Sequence, residues 1–294
     1  MSVAWLTWSN PVAIWWGFLI LVSATNIVLW FQLRALLCKA SPMRTQPLVL
    51  LSAAYVFGCA FRSILPRADV QRICLFDTWL SSVLVGRAVA TIAELCFVVQ
   101  WAIVLRELGK ITRSDTANNI ATLIVPLIAL AECCSWYAVI TTDFLGNVLE
   151  NSLWTVTFIL IAIALLRLIL SFRGAARLAI ATAAVGVTGY VIFMSTVDVP
   201  MYVARWQAEL TQGGQFLGFA AGLHDVATRW AVTHNFVEWH NEIPWMSLYF
   251  SVAVWTSLLL GGFSLAKTHL PRYRVRWPLL KRPRQPLAIP VRTS

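Results

Sequence analysis

"GRAVATIAELCFVVQWAIVL", residues 86–105, carries no charge except Arg87 and Glu94. A helix of this length spans about 30 Å, the thickness of a bilayer's hydrocarbon core. A lone charge near the centre of such a helix costs about 2.5–3.5 kcal/mol even on the lenient insertion scale, so charges there are expected to be paired and turned inward. The two residues are seven apart, about two helical turns, and so share one face. The stretch reads as a transmembrane helix with one polar face directed at a buried site.

The rest of the chain is of the same kind. Of its 294 residues, 59% are hydrophobic and 12% charged, and the mean hydropathy is +0.72, against roughly 25% charged in soluble domains. Apolar runs fall at about 11–37, 47–65, 79–105, 118–142, 151–171, 175–199 and 245–266, each near the length a span requires. The expected fold is an all-α integral membrane protein, a single bundle of about seven transmembrane helices. Residues 1–266 form the bundle, including an outer loop or lid at about 200–244, and 267–294 form a basic cytoplasmic tail.

Charge sets the expected orientation. No Lys or Arg precedes the first run, and Arg34 lies near its far end, which argues for an outside amino terminus and against a cleavable signal peptide. Arg34, Lys39 and Arg44 follow the first span, and Arg106, Lys110 and Arg113 the third. Arg167, Arg173 and Arg177 flank the fifth-to-sixth turn, and eight more Lys or Arg lie in the tail. This is a positive-inside pattern suited to a bacterial inner membrane or a plasma membrane. The formal charge of +10 is thereby accounted for by topology and by anionic lipid at the tail, not by nucleic acid. Of the 13 acids, only Glu107 and Asp115 fall on the inner side, which points to a functional outer half. The six cysteines form no CxxC pair and read as small packing residues.

The expected catalytic set is Glu94, Glu132 and Arg87. Glu132 sits mid-span in "AECC" (131–134), echoing "AELC" (93–96) on the preceding, antiparallel helix. Arg87 would hold one carboxylate ionised while the other keeps a proton it can exchange. The competing reading is an inert ion pair that fixes helix register. Arg62, Asp77, Glu150, Asn151 and Asp198 gather near span ends as a substrate-binding mouth, each also open to a local role: Asn151 as a helix cap, Asp198 as a helix end before Pro200, Arg62 snorkelling to headgroups.

The long segment 200–244 interleaves Trp206, Phe216, Phe219, Trp230, Phe236 and Trp239 with charge, as interfacial helices broken at Gly213 and Gly214 would. It also holds His224, His234, Glu238 and His240, the candidate zinc or iron ligands, since His and carboxylate at helical spacing suit those metals. Interfacial histidines bonded to water, lipid or protein would give the same pattern. Trp5, Trp8, Trp15, Trp16, Trp79, Trp154 and Trp245 near span ends suggest an aromatic belt. Neither GxSxG nor a Gly-rich phosphate loop occurs, and the seventh run has no Lys for a retinal Schiff base. Three functions fit: an enzyme acting on a lipid or other hydrophobic small molecule, a proton-coupled transporter of a small solute, and a membrane sensor or assembly factor.

Overall fold

The computed structural model describes residues 5–7, 9–40, 46–214, 216–263 and 265. The basic tail from 267 onward, with His269, as well as Arg44 and Trp8, lies outside the described residues. Within them are seven helices long and apolar enough to cross a membrane. The protein is a polytopic, all-α integral membrane bundle.

The first five spans are α1 (Pro11–Ala40), α2 (Gln46–Ile64), α3 (Val83–Thr112), α4 (Asp115–Thr141) and α5 (Phe144–Ile169). Four of these, α1, α3, α4 and α5, start at side-chain caps: Asn10, Ser82, Ser114 and Asp143 accept from the backbone N–H groups of Val12, Val85, Ala117 and Leu145, filling donors a first turn leaves free. Pro11 opens α1, where a missing N–H costs nothing. Arg113 and Thr142 end α3 and α4 in the left-handed region.

Two expectations about helix ends are corrected here. Asp143, not Asn151, caps the fifth span, so Glu150 and Asn151 lie about two turns inside it. Asp198 does not end the sixth span. The helix α6 (Gly174–Phe193) passes through a wide π turn, Met194–Asp198, into α7 (Val199–Thr211). The π turn lies just before Pro200, where the ring and absent N–H forbid a regular α-helical bond. The combined span of 38 residues therefore takes up a quarter of what the sequence suggests is a loop. It stops at Gly213, φ +67°, where glycine supplies the left-handed turn.

The remaining elements cap one end of the bundle. Helix α8 (Phe219–Thr228) packs on α4 and α3, and α9 (Phe236–Trp239) on α1. Two-residue strands β1 (Arg67–Ala68) and β2 (Ile73–Cys74) of the α2–α3 connection pair antiparallel, and β3 (Ala231–Val232) joins β2 in parallel. The seventh span is α10 (Glu242–Leu248), a second π turn Tyr249–Ala253, and α11 (Val254–Gly261).

Inside, polar side chains tie helices together. Gln100 donates to the Leu48 and Ser257 carbonyls, both at 3.1 Å, and accepts from Ser257 Oγ at 2.6 Å, joining α3 to α2 and α11. Asn26 donates to the Phe250 carbonyl within the second π turn at 2.9 Å. Such bonds suit a medium without water to compete. All six cysteines are free thiols.

One flank is different. The sixth span packs on α5, but it does not pack closely on α11. A cavity of about 1200 Å³ fills the space between α3, α5, α6 and the seventh span. Leu178 of α6 and Leu259 of α11 line it while being 69% and 77% exposed. The cavity is thus a slot open sideways, toward lipid.

A carboxylate and arginine cluster at the head of a membrane-deep slot

Arg87, one turn into α3, is 7% exposed. Its Nη2 donates to Glu94 Oε2 at 2.8 Å and to Glu132 Oε2 at 2.7 Å, while Nη1 lies 3.5 Å from Glu150 Oε1. The seven-residue spacing does put Arg87 and Glu94 on one face, and the antiparallel α4 brings Glu132 to the same level. One ligand oxygen from each of Glu94, Glu132 and Glu150 falls within 4.8 Å of the others. Around them Thr91 Oγ1 donates to Glu132 Oε2 at 2.6 Å, Trp136 Nε1 to Thr91 at 3.1 Å, Tyr249 OH to Glu94 Oε1 at 2.7 Å, and Asn147 Nδ2 to Glu150 Oε2 at 3.2 Å.

The three carboxyls are not equivalent. Glu94 and Glu150 line the slot together with Arg87, whereas Glu132 does not. Glu132 lies behind the guanidinium, held by Thr91, and so fixes where Arg87 points. Among the substrate-binding residues expected from sequence, Arg62, Glu150, Asn151 and Asp198 also line the slot. Asp77 does not; it accepts from Trp230 Nε1 at 3.0 Å in the cap.

Asp69, in the α2–α3 connection, completes the head of the slot. Arg67 binds it through Nε at 2.9 Å and Nη2 at 2.8 Å, with Arg62 Nη2 at 3.7 Å and Arg87 Nη1 at 4.0 Å. Burial alone would raise its pKa, but the guanidiniums of Arg67, Arg62 and Arg87 outweigh it and lower the value to about 2. Arg67 itself is pressed against the start of α3: a Cβ at Gly86 would meet its side chain at 2.7 Å.

Segment 200–244 contributes only Tyr202 and Glu242 to the slot wall among the described residues. The wall at that end is the stretch from Arg67 to Gln71, latched by Gln71 Nε2 to Glu242 Oε1 at 2.8 Å. The middle of the long segment instead covers the ends of α1, α3 and α4.

The histidines do not converge. His234 Nε2 lies 2.9 Å from the Leu75 carbonyl and its ring stacks on Trp5 at 4.2 Å. His240 Nδ1 meets the Val237 carbonyl at 2.6 Å, and His224 pairs with Thr228 one turn on. Glu238 lies in the short helix α9. Among the described residues the set with metal-ligand spacing is Glu94, Glu132 and Glu150, with no histidine, and Arg87 already occupies its centre. The zinc or iron expected at His224, His234, Glu238 and His240 has no assembled ligand set there: each histidine is already bonded within its own stretch or to the α2–α3 connection.

Below the cluster the slot becomes apolar. Phe97, Trp101, Val104 and Leu108 line it along α3, and Trp154, Phe158 and Leu165 along α5. Alanines and glycines of α6, from Ala175 to Gly189, form the opposite wall. Trp154 and Trp245 are wall residues of this slot, and Trp15 is buried against Trp239, so the aromatic-belt reading does not hold for these three. Tyr249, Thr91, Asn147 and Gln100 carried no signal in the sequence, being single polar letters in apolar runs.

No family model, curated protein or solved structure matches the chain. The site's chemistry must therefore be read from its own geometry.

Proposed function

We propose that this protein is a membrane-embedded enzyme that acts by acid–base chemistry on an amphiphilic lipid lying in the slot. One observation carries the reading: Glu94, Glu150 and Arg87 share the wall at one end of a cavity whose remaining depth is apolar. A pocket of about 1200 Å³ exceeds the usual 300–1,000 Å³ of small-molecule sites, and its sideways opening suits a chain arriving from the bilayer.

Chemically, the cluster supplies two carboxyls of different environment on one cavity wall. One guanidinium neutralises one carboxylate; the remaining acids need a proton or another cation each. A carboxyl that holds a proton beside one that does not is the arrangement general acid–base catalysis uses. Glu94, held by Tyr249 and Arg87, and Glu150, held by Asn147, are the exchanging pair in this reading. Arg87 stabilises negative charge developing on the substrate, and Glu132 is its positioning residue. Toward the far end no titratable side chain among the described residues lines the slot, which supports a chain-binding site over a proton path across the membrane.

The test begins with the gently solubilised full chain. Native mass spectrometry should find a retained lipid, and incubation should convert added copies of it. Glu150→Gln should abolish conversion while the lipid is still retained. A protein that holds no lipid, or a Glu150→Gln variant with unchanged turnover, removes the proposal.

A further inference from the structure

The charges in and directly behind the wall at the head of the slot do not balance, and the imbalance says which head group it takes. Asp69 is matched by Arg67 and Arg62. Arg87 is set against three acids, Glu94, Glu132 and Glu150. Farther along the same wall Asp198 and Glu242 share a single cation, Arg205, which lies 3.9 Å from Glu242. The head of the slot is therefore two positive charges short.

Two further features point the same way. Asn147 Oδ1 is buried and has no hydrogen-bond donor among the described residues, on a side chain that lines the slot and is 7% exposed. A buried acceptor without a donor is left with its desolvation uncompensated, so a ligand N–H or cation is its natural partner. Aromatic faces also frame the acids: Phe193 stacks on Trp245 at 6.1 Å, Trp245 meets Tyr249 at 5.8 Å, and Tyr249 is bonded to Glu94. Acidic groups among aromatic faces are what a cationic nitrogen seeks, through charge and through the ring quadrupole.

Resting on the function proposed above, we infer that the substrate is an amphiphile with a cationic nitrogen in its head group, a long-chain amine or an ammonium-bearing lipid, with that nitrogen beside Glu94 and Glu150 and its chain in the apolar slot. Its positive charge does what a proton or metal would otherwise have to do among these carboxyls. A carboxylate or phosphate head would meet repulsion from the same groups, and a neutral alcohol would leave the charge unmatched.

Four probes with one sixteen-carbon chain separate the possibilities: hexadecylamine, hexadecyltrimethylammonium, hexadecanol and hexadecanoate. Each is equilibrated with the purified full chain in neutral maltoside micelles and counted by native mass spectrometry. Both cations should bind at least about tenfold better than the other two. Glu94→Gln with Glu150→Gln should erase that preference while hexadecanol binding stays unchanged. If the double variant does not fold, Asp198→Asn should reduce the preference severalfold; among the described residues Asp198 makes no ion pair within 4.0 Å, Arg205 reaching only Glu242 at that range. The inference is overturned if the alcohol or the carboxylate binds as well as the amines, or if the preference survives the substitutions. Binding of none of the four removes the lipid-slot reading itself, and this inference with it.

Discussion

At the scale of single residues, Arg87 is the member on which the cluster depends. It touches acids from α3, α4 and α5 at once, so its removal leaves several buried carboxyls without a cation. Arg87→Ala should destabilise the protein by about 3–5 kcal/mol, the usual cost of breaking a buried pair from one side, measured as a fall in the thermal unfolding midpoint in detergent. Near-neutral stability would show that the acids do not rely on it. Asp69 yields a prediction on the acid side. Its pKa is lowered in the folded protein to about 2, below an unfolded value near 3.9. Its contribution is present above that unfolded value and is lost as pH falls from about 4 toward about 2. Asp69→Asn should lower stability at pH 6 and flatten the acid limb between pH 4 and 2 in thermal melts; an unchanged limb would refute the assignment.

The pairing of Arg87 and Glu94 could be read in the sequence because both break an apolar run at helical spacing. Glu132 could be read for the same reason. Their different stations could not: whether a carboxyl faces the slot or stands behind the guanidinium depends on the rotation of α4 against α3, to which the spacing within either helix is silent. Glu150 was legible only as a span-end residue, because Asp143 and Phe144 look like loop and the helix begins there.

At the scale of elements, α8 shows how little separates the cap from the bundle. Gly222 sits where any Cβ would collide with the Ile140 carbonyl oxygen at the end of α4, and Arg72, itself at φ 58°, bonds Asp225 of α8 at 2.9 Å. Gly222→Ala should lift α8 from α4. Limited proteolysis should then cut within 212–241 at least severalfold faster, with the melting of the spans little changed, since none of that segment's described residues lines the slot. Unaltered cleavage would show that α8 tolerates the methyl. The sixth span's continuation past Pro200 was illegible for a related reason: proline before a charged, less apolar stretch is the ordinary mark of a helix end, and only the preceding π turn lets the helix carry on.

At the scale of the whole molecule, the seven spans follow from hydropathy alone, since a bilayer accepts only helices whose backbone bonds are internal. Their orientation is an expectation from charge, open to direct test. Single cysteines placed at residues 77 and 114 in a cysteine-depleted chain, probed on intact cells with an impermeant maleimide, should label at 77 and not at 114; the reverse labelling would invert the topology. The slot was not legible at all. It arises because α6 leans on α5 and not on α11, a fact of packing between helices whose outward and inward faces are equally apolar, so neither periodicity nor composition marks the gap.

That gap is as tall as the membrane is thick. From the level of Arg87 to that of Leu108 the wall along α3 rises about 31 Å at 1.5 Å per residue, whereas one leaflet's hydrocarbon is about 15 Å deep. A lipid of ordinary length hanging from the carboxylates would reach the midplane and leave the lower half of the slot to be filled from the opposite leaflet, tail to tail. Either the molecule that belongs here has a chain of about twice the usual reach, or the protein holds two lipids end to end, and the mass of what copurifies will tell one from the other.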